Sequence, residues 1–297
     1  TPSSCCVALT KRIAIPAKPG GAWGGILPPN FYPSFNHAIL AAMPLDILST
    51  RSDSAAANMA TDFLALQNYP HPDHARFRHY DWQQTACTFG FGQKIAWVRE
   101  QLTNDPPSQL CRRPTGGGIV DHRDDWTYSL VIPRGHDVYD ARAVASYEAI
   151  HRSLTTCLRE QGCAAAIKDT CEPDPECATK GPTICFDRAE LFDVIHEESG
   201  RKIAGAAQKR AKRGLLFQGS IWRPHVGDLD WDLFETTFIT QISTLLEMEA
   251  TPAPWPETYL LFGRKKSTDA YHWTLAITRK RLMLRPTRRT VRQGFVR

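Results

Sequence analysis

The sequence contains no apolar run of the roughly 18 to 20 residues that a helix needs to cross a bilayer. It also lacks the pattern of a secretory signal, because prolines and glycines interrupt the short apolar stretch near its start. Among the five cysteines from Cys157 to Cys185 there is no C-x-x-C pair, so this cluster does not favour a zinc site. These absences predict a cytoplasmic protein, without a metal site or a membrane partner, whose nine cysteines are reduced thiols.

Positive charge is scarce over most of the chain, although the formal net charge is +5. Positions 263–297 hold eleven lysines and arginines against one acid, Asp269. Positions 1–262 therefore carry 25 basic and 30 acidic residues. This distribution argues against a nucleic-acid-binding core and confines any such role to the C-terminal tail.

Composition divides the chain into three parts. Residues 1–50 are dense in Pro and Gly and are predicted to form an extension. Residues 51–262 are predicted to form one domain. Residues 263–297 are predicted to be a mostly disordered basic tail, because their like charges repel and they contain few apolar residues.

Apolar periodicity predicts three helices and several strands. One helix is "SAAANMATDFLALQN" with Ser54 as its cap, another is "ARAVASYEAIHRSLTTCLREQG" with Val144 in its apolar stripe, and the third starts at Trp231. Strands are predicted on both sides of "QQ" in "FRHYDWQQTACTFGFGQ", over "DWTYSLVIP", and as a strand, turn and strand in "AELFDVIHEESGRKIAGAAQ". Helices and strands mix without regular βαβ alternation, which favours an α+β domain with a mixed sheet.

Three segments carry the candidate chemistry: "RRPTGGGIVDH" from Arg112, "CFD" from Cys185, and "GRKIAGAAQ" from Gly200. Three glycines ahead of a strand let backbone amides approach a ligand that side chains would exclude. The lysine of "GRKIAG" lies between a turn and small residues, where its ammonium could point into a pocket.

From about Ala55 to Ile221 the sequence resembles the biotin/lipoate protein-modifying superfamily, and more closely its lipoate–protein ligases and octanoyltransferases. The blocks "NMATD", "HYDWQQTACTFGFGQ", "RRPTGGGIVDH" and "GRKIAGAAQ" occur in the order of that family. The resemblance implies a biotin/lipoate ligase-like catalytic domain, with a mixed, largely antiparallel sheet flanked by helices.

The resemblance also implies roles for individual residues. Arg113, Gly116, Gly117 and Gly118 match the segment that forms the acyl pocket, and His122 matches a histidine that follows it.

In "GRKIAGAAQ", Lys202 matches the pocket lysine that contacts the acyl carbonyl or the phosphate, and Gly205 and Gln208 are expected to bind substrate. Cys185 matches the cysteine that accepts the acyl group from octanoyl-acyl carrier protein and passes it to an acceptor lysine.

Three functions follow from this interpretation. The first is an octanoyl or lipoyl transferase that needs no cofactor, with acyl carrier protein as donor and a lipoyl domain or a glycine-cleavage H-type protein as acceptor. The second is a lipoate–protein ligase that uses ATP and Mg²⁺ to form a lipoyl-adenylate. The third is a non-catalytic binding module whose basic tail contacts nucleic acid or a partner.

Overall fold

The computed structural model describes residues 43–170 and 188–260. Its strands are β1 (Pro44–Asp53), β2 (Ala75–Trp82), β3 (Ala86–Phe89), β4 (Gln109–Arg112), β5 (Ile119–Asp121), β6 (Asp125–Pro133), β7 (Ala165–Ile167), β8 (Val194–His196), β9 (Lys202–Ala211), β10 (Gly214–Trp222) and β11 (Glu249–Ala253). Its helices are α1 (Ala55–Gln67), α2 (Ile95–Gln101), α3 (Asp137–Asp140), α4 (Ala143–Glu160), α5 (Trp231–Leu246) and α6 (Glu257–Leu260).

The strands form two sheets. The large sheet has eight strands in the order β11-β1-β2-β6-β10-β9-β8-β7, and the small sheet has the order β4-β3-β5. In the large sheet β1 runs parallel to β11 and to β2, whereas the other neighbouring strands are antiparallel. This arrangement confirms the predicted α+β fold with a mixed, largely antiparallel sheet.

Strand β6 lies in the middle of the large sheet, and all nine of its residues are buried. Trp126 and Tyr128 belong to the main apolar core on one face, while Val131 packs on the opposite face. Alternation along the strand sends neighbouring side chains to opposite faces, and here each face is covered by other elements. The predicted strand is therefore confirmed, with both of its faces in the protein interior.

Helices α4 and α5 pack on each other and supply the cover for one face of the large sheet. Ile150, Leu154, Phe234 and Phe238 are fully buried there, and each side chain of this size contributes about 1.5–3 kcal/mol on burial. One predicted core residue is wrong, because Val144 is 55% exposed. In the first turn of α4, Ser146 faces β9 instead, where its hydroxyl donates to Gln208.

Helix α1 covers the other face. Ser54 caps it as predicted, since its Oγ accepts a hydrogen bond of 3.3 Å from the backbone N–H of Ala57. Leu64 and Leu66 pack against the sheet, yet the polar residues Asn58 and Asp62 are also fully buried. Buried polar residues need partners, and those of Asp62 lie at the site described below.

The sheet begins earlier than expected. Strand β1 starts at Pro44, inside the extension predicted for residues 1–50, and pairs with both β2 and β11. Its Leu45 and Leu48 are buried. The predicted domain boundary at residue 50 is thus corrected, because β1 belongs to the large sheet. The sequence of this segment shows no clear apolar period, and only its pairing with β2 and β11 reveals it as a strand.

The two strands predicted around Gln83 and Gln84 are confirmed as β2 and β3, but they belong to different sheets. In the small sheet β3 runs between β4 and β5. The glycine segment connects β4 to β5, so the small sheet carries it. No helix of the described residues combines the length and the apolar character that a membrane span requires.

Candidate active site

A pocket lies between α1, the small sheet and the strands β2, β6, β9 and β10 of the large sheet. Its empty volume is about 440 Å³, including its opening to solvent. Of the predicted site residues, Arg113, Gly117, His122 and Gly205 line it. Met59, Val120 and two alanines of β9 supply apolar wall, so the pocket combines an apolar lining with a few polar groups.

Arg113 holds the glycine segment in place. Its guanidinium is buried and donates from Nε and Nη2 to the carbonyl oxygen of Gly116, at 2.9 and 2.6 Å. Gly117 has φ of +88°, and a Cβ on it would lie 2.7 Å from Arg113 Nη2. Position 117 therefore favours glycine for two reasons: the backbone is left-handed, and a side chain there would clash with the Arg113 guanidinium. Gly116 and Gly118 are not among the lining residues.

His122 is fixed from both of its ring nitrogens. Nδ1 lies 2.7 Å from a carboxylate oxygen of Asp125, and Nε2 lies 2.8 Å from Oγ1 of Thr88. Because an ionised carboxylate can only accept, this network assigns a proton to Nδ1, and in the neutral ring Nε2 then accepts from Thr88. The ring also stacks on Trp82, with centroids 4.1 Å apart. These contacts therefore hold the imidazole ring of His122 in one orientation at the pocket.

A second polar network connects the glycine segment to α1. Thr115 donates to Oε1 of Gln218 at 2.7 Å, and Nε2 of Gln218 donates to Asp62 at 2.6 Å. Asp62 also accepts from Nε of Arg78 at 2.8 Å and from the hydroxyl of Ser129 at 2.7 Å. Both charged members of this network are buried, and each has the opposite charge as its partner. The network fixes one wall of the pocket.

Lys202 is buried rather than solvated. Its Nζ forms an ion pair of 2.7 Å with Asp193, and both side chains are almost inaccessible. Lys202 does not itself line the pocket, but its Nζ lies 2.5 Å from where a Cβ on Gly205 would be, and Gly205 does line it. The structure therefore brings the predicted lysine to the back of the pocket wall.

Gln208 and Cys185 are the remaining predicted site residues. Gln208 was expected to bind substrate, but its amide donates to the carbonyl of Ala143 at 2.6 Å and its oxygen accepts from Ser146. It contacts α4 and is not among the residues that line the pocket, and its role in substrate binding stays a prediction. Cys185 lies outside the described residues.

The described cysteines are poor candidates for a nucleophile. Cys87, Cys111, Cys157 and Cys163 are free and buried. Burial raises the pKa of Cys87 and of Cys157 to about 12 and that of Cys111 to about 11, and it also raises the pKa of Cys163. Because the thiolate is the reactive form, these four side chains are inert near neutral pH.

Five site residues were not predicted from the sequence: Asp62 and Thr88, which lie inside matched blocks, and Asp125, Asp193 and Gln218, which lie outside them. A weak signal existed for two of them, since Asp125 follows His122 by three positions and Asp62 falls on the buried side of an otherwise apolar helix. The remaining three depend on pairing between distant strands. Within residues 43–170 and 188–260, no cluster of three or more His, Cys, Asp or Glu side chains could hold a metal ion.

The fold is similar to that of solved lipoate protein ligases. It resembles a crystal structure of lipoate-protein ligase A bound with ATP, with a TM-score of 0.58 and 18% identity over 76% of this chain and 96% of that one. It also resembles a structure of a bi-partite lipoate protein ligase and its E2 lipoyl domain from Thermoplasma acidophilum, with a TM-score of 0.55 and 17% identity over 76% and 94% of the two chains.

Sequence similarity shows the family. The lipoyl protein ligase A/B catalytic domain matches residues 54–223, and the chain belongs to this family. It is 34% identical to octanoyltransferase LipM of Bacillus cereus over 61% of this chain and 66% of the relative. It is 30% identical to octanoyltransferase LipM of Halalkalibacterium halodurans, over 60% and 66%. The matched region thus spans just under two thirds of these relatives' length.

Proposed function

We propose that this chain transfers an octanoyl or lipoyl group onto a lysine of a lipoyl-type acceptor domain. The similarity to octanoyltransferases named LipM supports octanoyl transfer. The observation that carries the proposal is the pocket itself, which joins an apolar wall to Arg113 and His122 and has the Lys202 cation directly behind Gly205. Such a site can hold an acyl chain and stabilise negative charge at its carbonyl.

In the proposed first step, the sulfur of Cys185 attacks the carbonyl carbon of a donor thioester. A carbon–sulfur bond to Cys185 forms, the bond to the donor sulfur breaks, and the donor leaves as a thiol that carries the proton of Cys185. In the second step the acceptor amine attacks this acyl-enzyme, an amide forms, and Cys185 is released as a thiol. Each step passes through an oxyanion, which a fixed cation such as Lys202 would stabilise.

The assignment of Cys185 has indirect support from the described thiols. Burial raises the pKa of all four, so none of them is available as a thiolate near neutral pH. Of the other five cysteines, Cys185 lies nearest in sequence to Lys202 and matches the family's nucleophile.

The proposed donor is octanoyl-acyl carrier protein, and the proposed acceptor is a lipoyl domain or a glycine-cleavage H-type protein in the cytoplasm. A lipoyl domain appears with the archaeal ligase whose fold this chain shares. The first step exchanges one thioester for another, which is nearly isoenergetic, and the second converts a thioester into a more stable amide, so the proposed transferase reaction requires no cofactor.

The alternative is a ligase that activates lipoate with ATP and Mg²⁺, as suggested by the neighbour that was crystallised with ATP. Three carboxylates lie beside the pocket, and Asp62, Asp125 and Asp193 already accept hydrogen bonds from Arg78, His122 and Lys202 respectively. The described residues thus offer no ready-made magnesium site.

The decisive experiment measures the intact mass of the full chain after incubation with octanoyl-acyl carrier protein in the absence of ATP. We expect a gain of one octanoyl group that hydroxylamine removes, as a thioester requires. Cys185→Ala should abolish this adduct, whereas the matched variant Cys177→Ala should retain it.

An adduct that persists in Cys185→Ala would contradict the proposed nucleophile. Modification of the acceptor that depends on ATP and free lipoate, with no acyl-enzyme, would establish the ligase instead. Binding of the acceptor or of nucleic acid without any acyl transfer would favour the non-catalytic alternative.

A further inference from the structure

Strand β9 contains a β-bulge at Lys202. In the pairing with β8, Ile195 lies opposite Lys202 but Val194 lies opposite Ala204, so Ile203 is an extra residue on β9. Gly205 and Ala207 line the pocket, and regular alternation would place Ile203 on that same face. Instead Ile203 is fully buried in the main apolar core, and the end of the Lys202 side chain lies beside Gly205. The bulge thus redirects the lysine.

Asp193 holds the redirected ammonium. Its carboxylate is fully buried, and one oxygen lies 2.7 Å from Lys202 Nζ and accepts from the backbone N–H of Glu190 at 2.6 Å. The other oxygen accepts from the hydroxyl of Tyr147. Asp193 directly precedes β8, so the bulge and the carboxylate come from the same strand pair. A buried ammonium needs such a partner to remain charged.

Tyr147 connects this ion pair to the pocket wall. Its hydroxyl donates to Asp193 and accepts from the backbone N–H of Ala206 at 3.0 Å, and Ala206 lines the pocket. The neighbouring His151 does not add charge near pH 7, because burial lowers its pKa to about 4. Tyr147 therefore fixes the carboxylate relative to the main chain next to Gly205.

Gly205, which has no side chain, leaves room for the ion pair of Lys202 and Asp193. A Cβ at this position would lie 2.5 Å from Lys202 Nζ and 3.1 Å from an oxygen of Asp193. Any other residue would displace the ion pair from the wall.

We infer that Asp193 and Tyr147 are positioning residues, which hold the Lys202 ammonium at the Gly205 gap so that it faces the acyl carbonyl in the pocket. The inference rests on the proposed acyl transfer. Loss of Asp193 or Tyr147 should therefore raise the free energy of the transition state, in which the carbonyl becomes an oxyanion, more than it weakens binding of the donor.

The test compares full-length Asp193→Asn, Tyr147→Phe and Lys202→Ala in octanoyl transfer from octanoyl-acyl carrier protein. Lys202→Ala should lower kcat by about 10²- to 10³-fold. Asp193→Asn should lower kcat by roughly 10- to 100-fold and Tyr147→Phe by a smaller factor, with KM changed less than about twofold.

A second readout does not depend on activity. Limiting amounts of acetic anhydride label lysines according to the fraction of free amine and to their exposure, so labelling of the buried Lys202 is compared between variants of the same fold, and peptide mass spectrometry resolves each site. Loss of the carboxylate in Asp193→Asn favours the neutral amine, so labelling of Lys202 should rise by roughly three- to tenfold. Lys168, whose Nζ donates to the carbonyl of Ala189, is the internal reference and should not change.

Two variants are matched controls. Asp46→Asn neutralises a buried carboxylate that binds Tyr69 and His74 outside the pocket. Tyr128→Phe removes a buried hydroxyl for which the described residues supply no hydrogen-bond partner. Both should retain the wild-type kcat and the wild-type labelling of Lys202.

The outcomes separate this inference from the proposed function. Suppose that the wild type transfers the octanoyl group, and that Asp193→Asn and Tyr147→Phe both keep the wild-type kcat and the wild-type labelling of Lys202. That result would overturn the positioning role. If the wild type transfers no octanoyl group, the proposed function fails, and the labelling still decides whether Asp193 holds Lys202. If Asp193→Asn does not fold, Tyr147→Phe decides, because it keeps the ring that packs in the core.

Discussion

At the residue scale, the consecutive glycines of the segment between β4 and β5 have different surroundings. Gly117 has a left-handed backbone and contacts the Arg113 guanidinium, whereas a Cβ on Gly116 would meet no atom within 4 Å. Gly117→Ala should therefore displace Arg113 and cost about 1–2 kcal/mol in backbone strain alone. We expect a loss of acyl-enzyme formation of tenfold or more, measured by intact mass over time.

The matched control is Gly116→Ala, which should form the acyl-enzyme at the wild-type rate. Both proteins should have the same circular dichroism spectrum. Equal activity of the two variants would show that the glycine segment is an ordinary turn with no role in the pocket.

Arg113, His122 and Lys202 were predicted from motif matches, and the structure places all three in or directly behind one pocket. The partners of two of them were not predicted. Asp125 is close to His122 in sequence, but Asp193 reaches Lys202 through strand pairing. A motif identifies a residue by its neighbours in sequence, whereas hydrogen-bond partners are selected by neighbours in space.

At the element scale, α1 shows why a buried polar side chain matters to the fold. Asp62 accepts hydrogen bonds from Arg78, Tyr80, Ser129 and Gln218, which lie on three strands of the large sheet. Asp62→Ala would leave the Arg78 guanidinium buried without its partner. We expect the free energy of unfolding to fall by about 3–5 kcal/mol, measured by urea denaturation.

An exposed ion pair on another helix is the comparison. Glu148 and Arg152 on α4 are 2.7 Å apart but partly or largely exposed, so Glu148→Ala should change the free energy of unfolding by less than about 1 kcal/mol. A similar small effect in Asp62→Ala would mean that the buried network does not stabilise α1 on the sheet.

At the scale of the whole molecule, the excess of positive charge lies after residue 262 in the sequence. The tail from position 263 lies outside the described residues, and the last described element, α6, ends at Leu260. Because the sequence predicts a tail separate from the domain, deleting residues 264–297 should leave acyl-enzyme formation unchanged. If the tail attracts an acidic acceptor, the deletion should slow acceptor modification at low salt and have little effect at high salt.

The measurement pairs intact-mass detection of the acyl-enzyme with the rate of acceptor modification at two ionic strengths. A truncated protein that unfolds, or that no longer forms the acyl-enzyme, would place the tail within the catalytic domain. Salt dependence that survives the deletion would instead point to basic residues of the β9–β10 hairpin, such as Lys209 and Arg213.

The sequence by itself determined the family, the α+β class, the helices α1, α4 and α5, and the residues Arg113, His122 and Lys202. These features depend on local periodicity, capping and short motifs, which a chain carries in consecutive positions. Only the tertiary structure decided that β1 belongs to the sheet, that Gln208 contacts α4, and that a bulge in β9 brings Lys202 to Asp193 and Gly205. Strand pairing and register bring together residues that are far apart in sequence. The free energy of each such contact depends on a partner residue that the local sequence does not identify.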